Sequence, residues 1–140
     1  MKLKTGLCSI TFRQLSVEEI IKLVKEASLD GIEWGGDVHV PHGDFKKANE
    51  VAANCRDAGI EISSYGSYYR SEAKDSPSFR AVAETAKALG APMIRIWAGD
   101  LGSDNASDAD RRKEVDDLIK CAEIASELKV KIGLENTVAL

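Results

Sequence analysis

The chain has 140 residues, 44% of them hydrophobic, and a formal net charge of −4. That is enough apolar residue for one domain with its own core, and the scattered Lys and Arg give nucleic acid no electrostatic footprint. No apolar run nears the ~20 residues of a membrane helix, and the opening MKLKTGLCSITF has neither the apolar core nor the cleavage site of a secretory signal.

The chain alternates between two periods. TGLCSITF reads as a first strand. Ser16 to Glu19 then forms an S-x-x-E capping box, and Val17, Ile20, Ile21, Val24 and Ala27 recur at helical spacing behind it. Gly31 closes that unit and IEWG opens a second strand. Asp44 caps a second helix carrying Phe45, Ala48, Val51, Ala52 and Cys55, which Gly59 ends before IEISSYG. Ser76-Pro77 reads as a cap with proline at the first helical position, followed by the stripe Phe79, Val82, Ala83, Ala86 and Leu89. Gly90 ends that helix before PMIRIWAG. A fourth helix runs from a cap at Ser107 through Val115, Leu118, Ile119, Ala122 and Ala125 to Leu128, and KVKIGLEN follows.

The order βαβαβαβαβ predicts a parallel sheet. A flat doubly wound sheet and part of a (β/α)8 barrel both fit, and the strands separate them. In Ile32-Glu33-Trp34, Ile60-Glu61-Ile62, Ile94-Arg95-Ile96 and Ile132-Gly133-Leu134, apolar residues alternate with polar or small ones. Central strands of a flat sheet are covered on both faces and read apolar throughout, whereas barrel strands meet helices on one face only. The prediction is therefore five parallel strands in sequence order with four helices on the convex side. Glu33, Glu61, Arg95 and Gly133 then face the lumen, where the charged three read as a structural ion-pair network. The same parity carried to the strand ends turns Gly35, Ser63, Tyr65, Trp97 and Glu135 inward, at the face where barrel chemistry sits.

Between strand and helix, GGDVHVPHGD places Asp37 and His39 on a loop at that face. His39 either hydrogen-bonds a substrate hydroxyl or carbonyl or is held by nearby backbone. His42, beside Asp44, reads as a surface histidine. Three cysteines, Cys8, Cys55 and Cys121, stand far apart without a C-x-x-C pair and read as reduced thiols in a cytoplasmic protein. Cys8 is either a nucleophile or a small buried residue. Arg70 is either an exposed loop arginine or a contact for a phosphate or carboxylate.

DGIEWGGDVHVPHGD, GIEISSYGSYYR, GAPMIRIWAG and the closing IGLEN together resemble the sugar phosphate isomerase/epimerase group of the xylose-isomerase-like TIM barrels, with GIEWGGDVHVP the most specific piece. The resemblance covers essentially the whole chain. It implies a (β/α)8 barrel, a carbohydrate substrate and a divalent metal, Mn2+ or Mg2+, that assists proton transfer next to a carbonyl. The first metal ligand of such proteins is a glutamate ending the fifth strand, which here is Glu135, also the candidate base. The candidate substrate contacts are Trp34, His39, Tyr65, Arg70 and Trp97.

A complete barrel takes about 250 residues and eight strands. Residues 1–140 therefore read as a single xylose-isomerase-like barrel domain truncated after its fifth strand. The short chain is expected to bind metal weakly or not at all, to lack activity and to self-associate through its open sheet edges. The alternatives are a non-catalytic half-barrel serving binding or assembly, and an abasic-site endonuclease relative, which the acidic charge disfavours. No nucleic-acid or membrane partner is expected.

Overall fold

The computed structural model describes residues 3–135. Among these, five strands and four helices alternate: β1 Gly6–Cys8, α1 Val17–Glu26, β2 Gly31–Gly35, α2 Phe45–Ala58, β3 Glu61–Arg70, α3 Phe79–Leu89, β4 Met93–Trp97, α4 Asp108–Leu128 and β5 Lys131–Glu135. The strands pair in parallel in the order β1-β2-β3-β4-β5, the order the alternation predicts. Asn136, which completes the IGLEN piece, lies outside the described residues.

One face of the sheet carries the core. Ile32, Trp34, Ile94 and Ile96 are buried together with Ile20 and Val24 of α1, Ala48 and Val51 of α2, Val82 and Leu89 of α3, and Cys121 and Ala125 of α4. Helices lie side by side, each against the next in the chain. Burial of such branched side chains stabilises by about 1.5–3 kcal/mol each, so this face dominates the fold energetically. The opposite face carries Glu33, Arg95, Gly133 and Glu135, and no helix among the described residues covers it.

The helix ends follow local chemistry. Ser16 and Glu19 form the predicted capping box, Ser107 and Asp110 form another, and Asp44 accepts the Lys47 amide at 2.9 Å. Gly59 and Gly90 end α2 and α3 with left-handed φ of 70° and 76°, where only glycine is free of strain.

Two local readings are corrected. The first strand stops at Cys8, and Ser9–Phe12 turn into a short 3-10 helix that brings Ser9 beneath β2. Ser76 does not cap α3: its hydroxyl accepts from the Arg70 amide at 2.8 Å and donates to the Arg70 carbonyl, tying the β3–α3 loop to the strand end. The helix starts two residues later, behind Ser78, whose side chain makes no cap bond.

β3 holds the largest departure from regular alternation. Ile62 pairs with Ile32, but Ser64 pairs with Glu33, so one extra residue bulges at Ser63. A bulge reverses the facing of every residue beyond it. Gly66 consequently takes the open face, between Gly35 of β2 and Arg95 of β4. A Cβ at Gly66 would stand 2.8 Å from Arg95 Nη2 and 3.2 Å from Glu33 Oε1. Glycine here clears the path by which Arg95 crosses β3.

This generates a stability prediction. Gly66→Ala should destabilise the chain by about 1–3 kcal/mol, the usual cost of overpacking. Urea denaturation followed by circular dichroism measures it, and an unchanged midpoint would show that Arg95 does not lie across Gly66.

Candidate active site

Arg95 holds the open face together. Its Nε donates to Glu33 Oε1 at 3.1 Å, and its Nη1 donates to Glu135 Oε2 at 2.5 Å. Three strands, β2, β4 and β5, are thereby joined by one guanidinium across β3. Glu33 also accepts from the Ser64 hydroxyl at 2.6 Å and the Cys8 thiol at 3.1 Å. Burial pushes the Glu33 carboxyl upward, but the bonds from Ser64 and Cys8 and the Arg95 charge outweigh it and hold the group below its ordinary value. Burial also pushes Arg95 down, and the two carboxylates more than reverse that, so the guanidinium is firmly cationic.

Glu33 and Arg95 thus occupy the open face and form the expected ion pair. Glu61 belongs to the far end of the same face. It accepts from Lys4 at 2.5 and 2.7 Å and takes no part in the Arg95 network, because it precedes the bulge and lies a full strand length from the rim. Cys8 is a positioned donor: burial and its bond to Glu33 push its thiol up to about 11, so it stays protonated at neutral pH and is a poor nucleophile.

At the strand ends, Trp97 is surrounded by polar groups. Its Nε1 donates to Glu135 Oε2 at 3.0 Å. The Arg95 and Arg70 guanidiniums lie 5.4 and 5.1 Å from the ring centre, within cation–π range. Arg70 donates to the Ala98 and Gly99 carbonyls and pairs with Asp100 at 3.3 Å, so it is a fixed part of the rim. Glu135, Trp97 and Arg70 therefore gather at one end of β3, β4 and β5.

Three candidate contacts point elsewhere. Trp34 faces the helices, fully buried, as the alternation of β2 itself dictates. Tyr65, expected inward, is turned to the helix side by the bulge; it is fully buried and its hydroxyl donates to the Val40 carbonyl at 2.8 Å. His39 is 3% exposed and sealed by protein partners. Its Nε2 lies 3.1 Å from the Leu15 carbonyl, which can only accept, so Nε2 carries the proton. Ser9 Oγ, accepting from the Gly35 amide at 2.9 Å, donates its own proton to His39 Nδ1 at 3.0 Å. His39 is thus a strut that fixes the β1–α1 segment against β2, with its ring edge on Trp34. Gly35 serves the same packing: a Cβ there would meet Ile10 Cγ2 at 2.4 Å.

Tyr68 is the rim residue that alternation does not disclose. It sits in the irregular stretch between Gly66 and Arg70, with a left-handed φ of 58°. Its ring meets Trp97 edge-on with centres 5.2 Å apart, and its hydroxyl accepts from Arg13. Arg13 also donates to Asp37 at 2.8 Å. Burial pushes the Asp37 carboxyl up, and the Arg13 and Tyr68 bonds with local backbone amides hold it below its ordinary value nonetheless. A non-glycine residue in this conformation costs of order 1 kcal/mol or more, and such strain concentrates at functional rims. The repeated aromatic in SYYR was the available signal.

A hard divalent ion seeks about six oxygen ligands. Among the described residues no group of three or more His, Cys, Asp or Glu is placed to hold one. Glu135 Oε2 already carries a guanidinium and an indole N–H, and Arg95 occupies the space between the two carboxylates. The donors among the described residues do not fit such a metal.

Parallel strands in sequence order and helices along one side define part of a (β/α)-barrel, with charged side chains collected at the strands' C-terminal ends. The xylose isomerase-like TIM barrel family matches residues 21–139, and the chain belongs to that family. Among solved structures it is similar to the probable 3-DHS dehydratase AsbF from Bacillus anthracis, with a TM-score of 0.77, 21% identity, and 94% of this chain and 52% of that one covered. It is similar to the 3-keto-D-glucoside 4-epimerase YcjR from E. coli (0.75, 19%, 95% and 56%) and to a sugar phosphate isomerase/epimerase from Parabacteroides distasonis (0.69, 15%, 97% and 52%). The chain spans about half the length of these structures, and likeness at such identity speaks to the fold alone. A comparison with curated proteins finds no match. Among the described residues no helix is long and apolar enough to cross a membrane.

The Glu33 environment predicts a pH dependence. Its folded-state pKa lies below the unfolded 4.5, so its contribution to stability is present above that pH and is lost as pH falls through the folded value. Glu33→Gln should lower stability at neutral pH and flatten the loss of stability below about pH 4.5. Thermal melts from pH 3 to 7 compare the two chains; parallel acid limbs would contradict the assignment.

Proposed function

We propose that the strand-end face serves an isomerase or epimerase reaction on a sugar or sugar phosphate, with Glu135 moving a proton next to a carbonyl. The observation that carries the reading is the accessible Glu135 carboxylate, held against Arg95 and Trp97 at the C-terminal rim. Among the described residues its bonds fall on Oε2, which leaves Oε1 as the proton acceptor. Proton removal from a carbon beside a carbonyl moves the C–H electron pair toward the carbonyl oxygen, where negative charge develops. A fixed cation near that oxygen lowers the barrier, and Arg95 and Arg70 are the fixed cations of this rim. Return of the proton to the other face, or to the neighbouring carbon, completes epimerisation or isomerisation. The metal-assisted form of this chemistry is what the family resemblance implies, and no step is assigned to a metal because the residues present do not fit one. The net charge of −4 and the scattered Lys and Arg favour a small polyhydroxylated substrate over abasic DNA.

The short donor set favours a second reading, in which the 140-residue chain binds such compounds without turning them over. Two measurements on this chain separate the readings. In the first, ketoses and ketose phosphates change the tryptophan fluorescence of the wild-type chain and leave Trp97→Phe unaffected, since Trp34 is fully buried on the helix side. No response to any of them would contradict the carbohydrate reading. In the second, proton NMR in deuterium oxide follows loss of the signal next to the ketose carbonyl. The expected outcome for the chain alone, with or without Mn2+, is the background rate, and calorimetry should show no saturable Mn2+ binding. Exchange above background that Glu135→Gln abolishes would show that this chain is itself a catalyst.

A further inference from the structure

The loops after β3 and β4 enclose a recess that the Glu135 carboxylate does not use. It measures about 450 Å³, the size of a cleft for a small ligand, and Tyr68, Arg70, Glu72, Lys74, Asp75 and Asp100 line it. Both strands lie inside the sheet, so the recess stands clear of its edges. Its frame is fixed. Ser76 ties off the Arg70 amide and carbonyl, Arg70 Nη1 donates to the Ala98 and Gly99 carbonyls at 3.1 and 3.2 Å, and the Glu72 amide donates to Asp117 at 3.3 Å. Tyr68 and Glu72, on either side of Arg70, hold left-handed φ of 58° and 55°. Strained backbone of this kind gathers at ligand clamps. The side chains of Glu72, Lys74 and Asp75 are exposed on the recess and form no ion pair among the described residues.

The lining selects a class of ligand. A sugar ring offers an apolar C–H face, which packs on an aromatic ring, and hydroxyls that both donate and accept. Tyr68 supplies the aromatic wall, the carboxylates of Glu72 and Asp75 accept, and Lys74 donates. Arg70 spends Nε on Asp100 and Nη1 on the loop carbonyls, so among the described residues Nη2 is its remaining donor. A phosphate would meet the wrong balance: three carboxylates, Glu72, Asp75 and Asp100, stand against Lys74 and an Arg70 that Asp100 already pairs. The recess and the Glu135 carboxylate share a wall. Trp97 donates to Glu135 through Nε1, and it also carries the Tyr68 ring edge-on and the Arg70 guanidinium 5.1 Å from its ring centre. One indole thus separates the two places. We propose that the recess is a second carbohydrate subsite, which takes the sugar ring next to the one that meets Glu135, so that the substrate has at least two sugar units and no phosphate at this end. This rests on the carbohydrate reading of the Glu135 rim.

Tryptophan fluorescence titrations of the 140-residue chain test this with D-fructose, a single ring, and maltulose, which joins a glucopyranose to the same ketose. Maltulose should bind about tenfold more tightly, since its second ring adds contacts without a second association cost. The double variant Lys74→Ala/Asp75→Ala, two exposed loop changes checked for unaltered circular dichroism, should bring maltulose down to the affinity of D-fructose and leave D-fructose unchanged. Equal affinities in the wild-type chain overturn the subsite and leave the reading of Glu135 standing. A maltulose preference that survives the double variant also overturns it, because the second ring then lies elsewhere. So does tighter binding of D-fructose 6-phosphate than of maltulose that the double variant loses, which would make the recess an anion site. Binding of maltulose without D-fructose, lost in the double variant, supports the recess and counts against Glu135. Binding of neither sugar overturns both.

Discussion

The open face of this sheet depends on one guanidinium. Arg95 leaves β4, passes over Gly66 of β3, and binds carboxylates on β2 and β5. Glu33 and Arg95 are each about four-fifths buried, so removing either would strand an uncompensated charge. Ser64 reaches Glu33 because the bulge turns it inward; Cys8 reaches it from β1; Trp97 reaches Glu135 from the strand beside it. The face that would otherwise be a bare row of backbone is thereby a fixed set of charges.

Fixed charge and strain meet at the rim. Arg13 and Asp37 reach Tyr68 from the loops that follow β1 and β2, and Tyr68 accepts a left-handed backbone to stand edge-on against Trp97. The loops after β1 and β2 are thus joined to β3 by side chains at the end where Glu135 lies. The helix side, packed from branched aliphatics and the buried aromatics Trp34, Tyr65, Tyr69 and Phe79, supplies the stability that such a rim spends. The packed core and the charged rim occupy opposite faces of the same strands.

Most of the scaffold was legible because its signals are local. The capping box at Ser16, the cap at Ser107, glycines after α2 and α3, and apolar stripes at helical spacing act within one or two turns, and each stands where the sequence puts it. Strand alternation placed Glu33, Arg95, Trp97 and Glu135 on one face for the same reason. It failed in β3, since an extra residue in IEISSYG leaves the alternation looking intact while reversing everything after Ser63. Tyr65 went to the core and Gly66 to the open face on that account. His39 was ambiguous because its partners, Ser9 and Leu15, are remote in sequence and become neighbours only when the 3-10 segment folds under β2. Tyr68 depends on two loops and an irregular strand at once, and no periodic pattern reports that.

Arg95 couples β2 to β4 and β5 across the open face. A double-mutant cycle with Arg95→Met and Glu33→Gln, read by urea denaturation at pH 7, measures that coupling directly. For a mostly buried, hydrogen-bonded charge pair the coupling energy should be about 1–3 kcal/mol, with the double variant more stable than the sum of the single losses implies. Strictly additive losses would mean that the two side chains do not interact and that the open face is organised by something else.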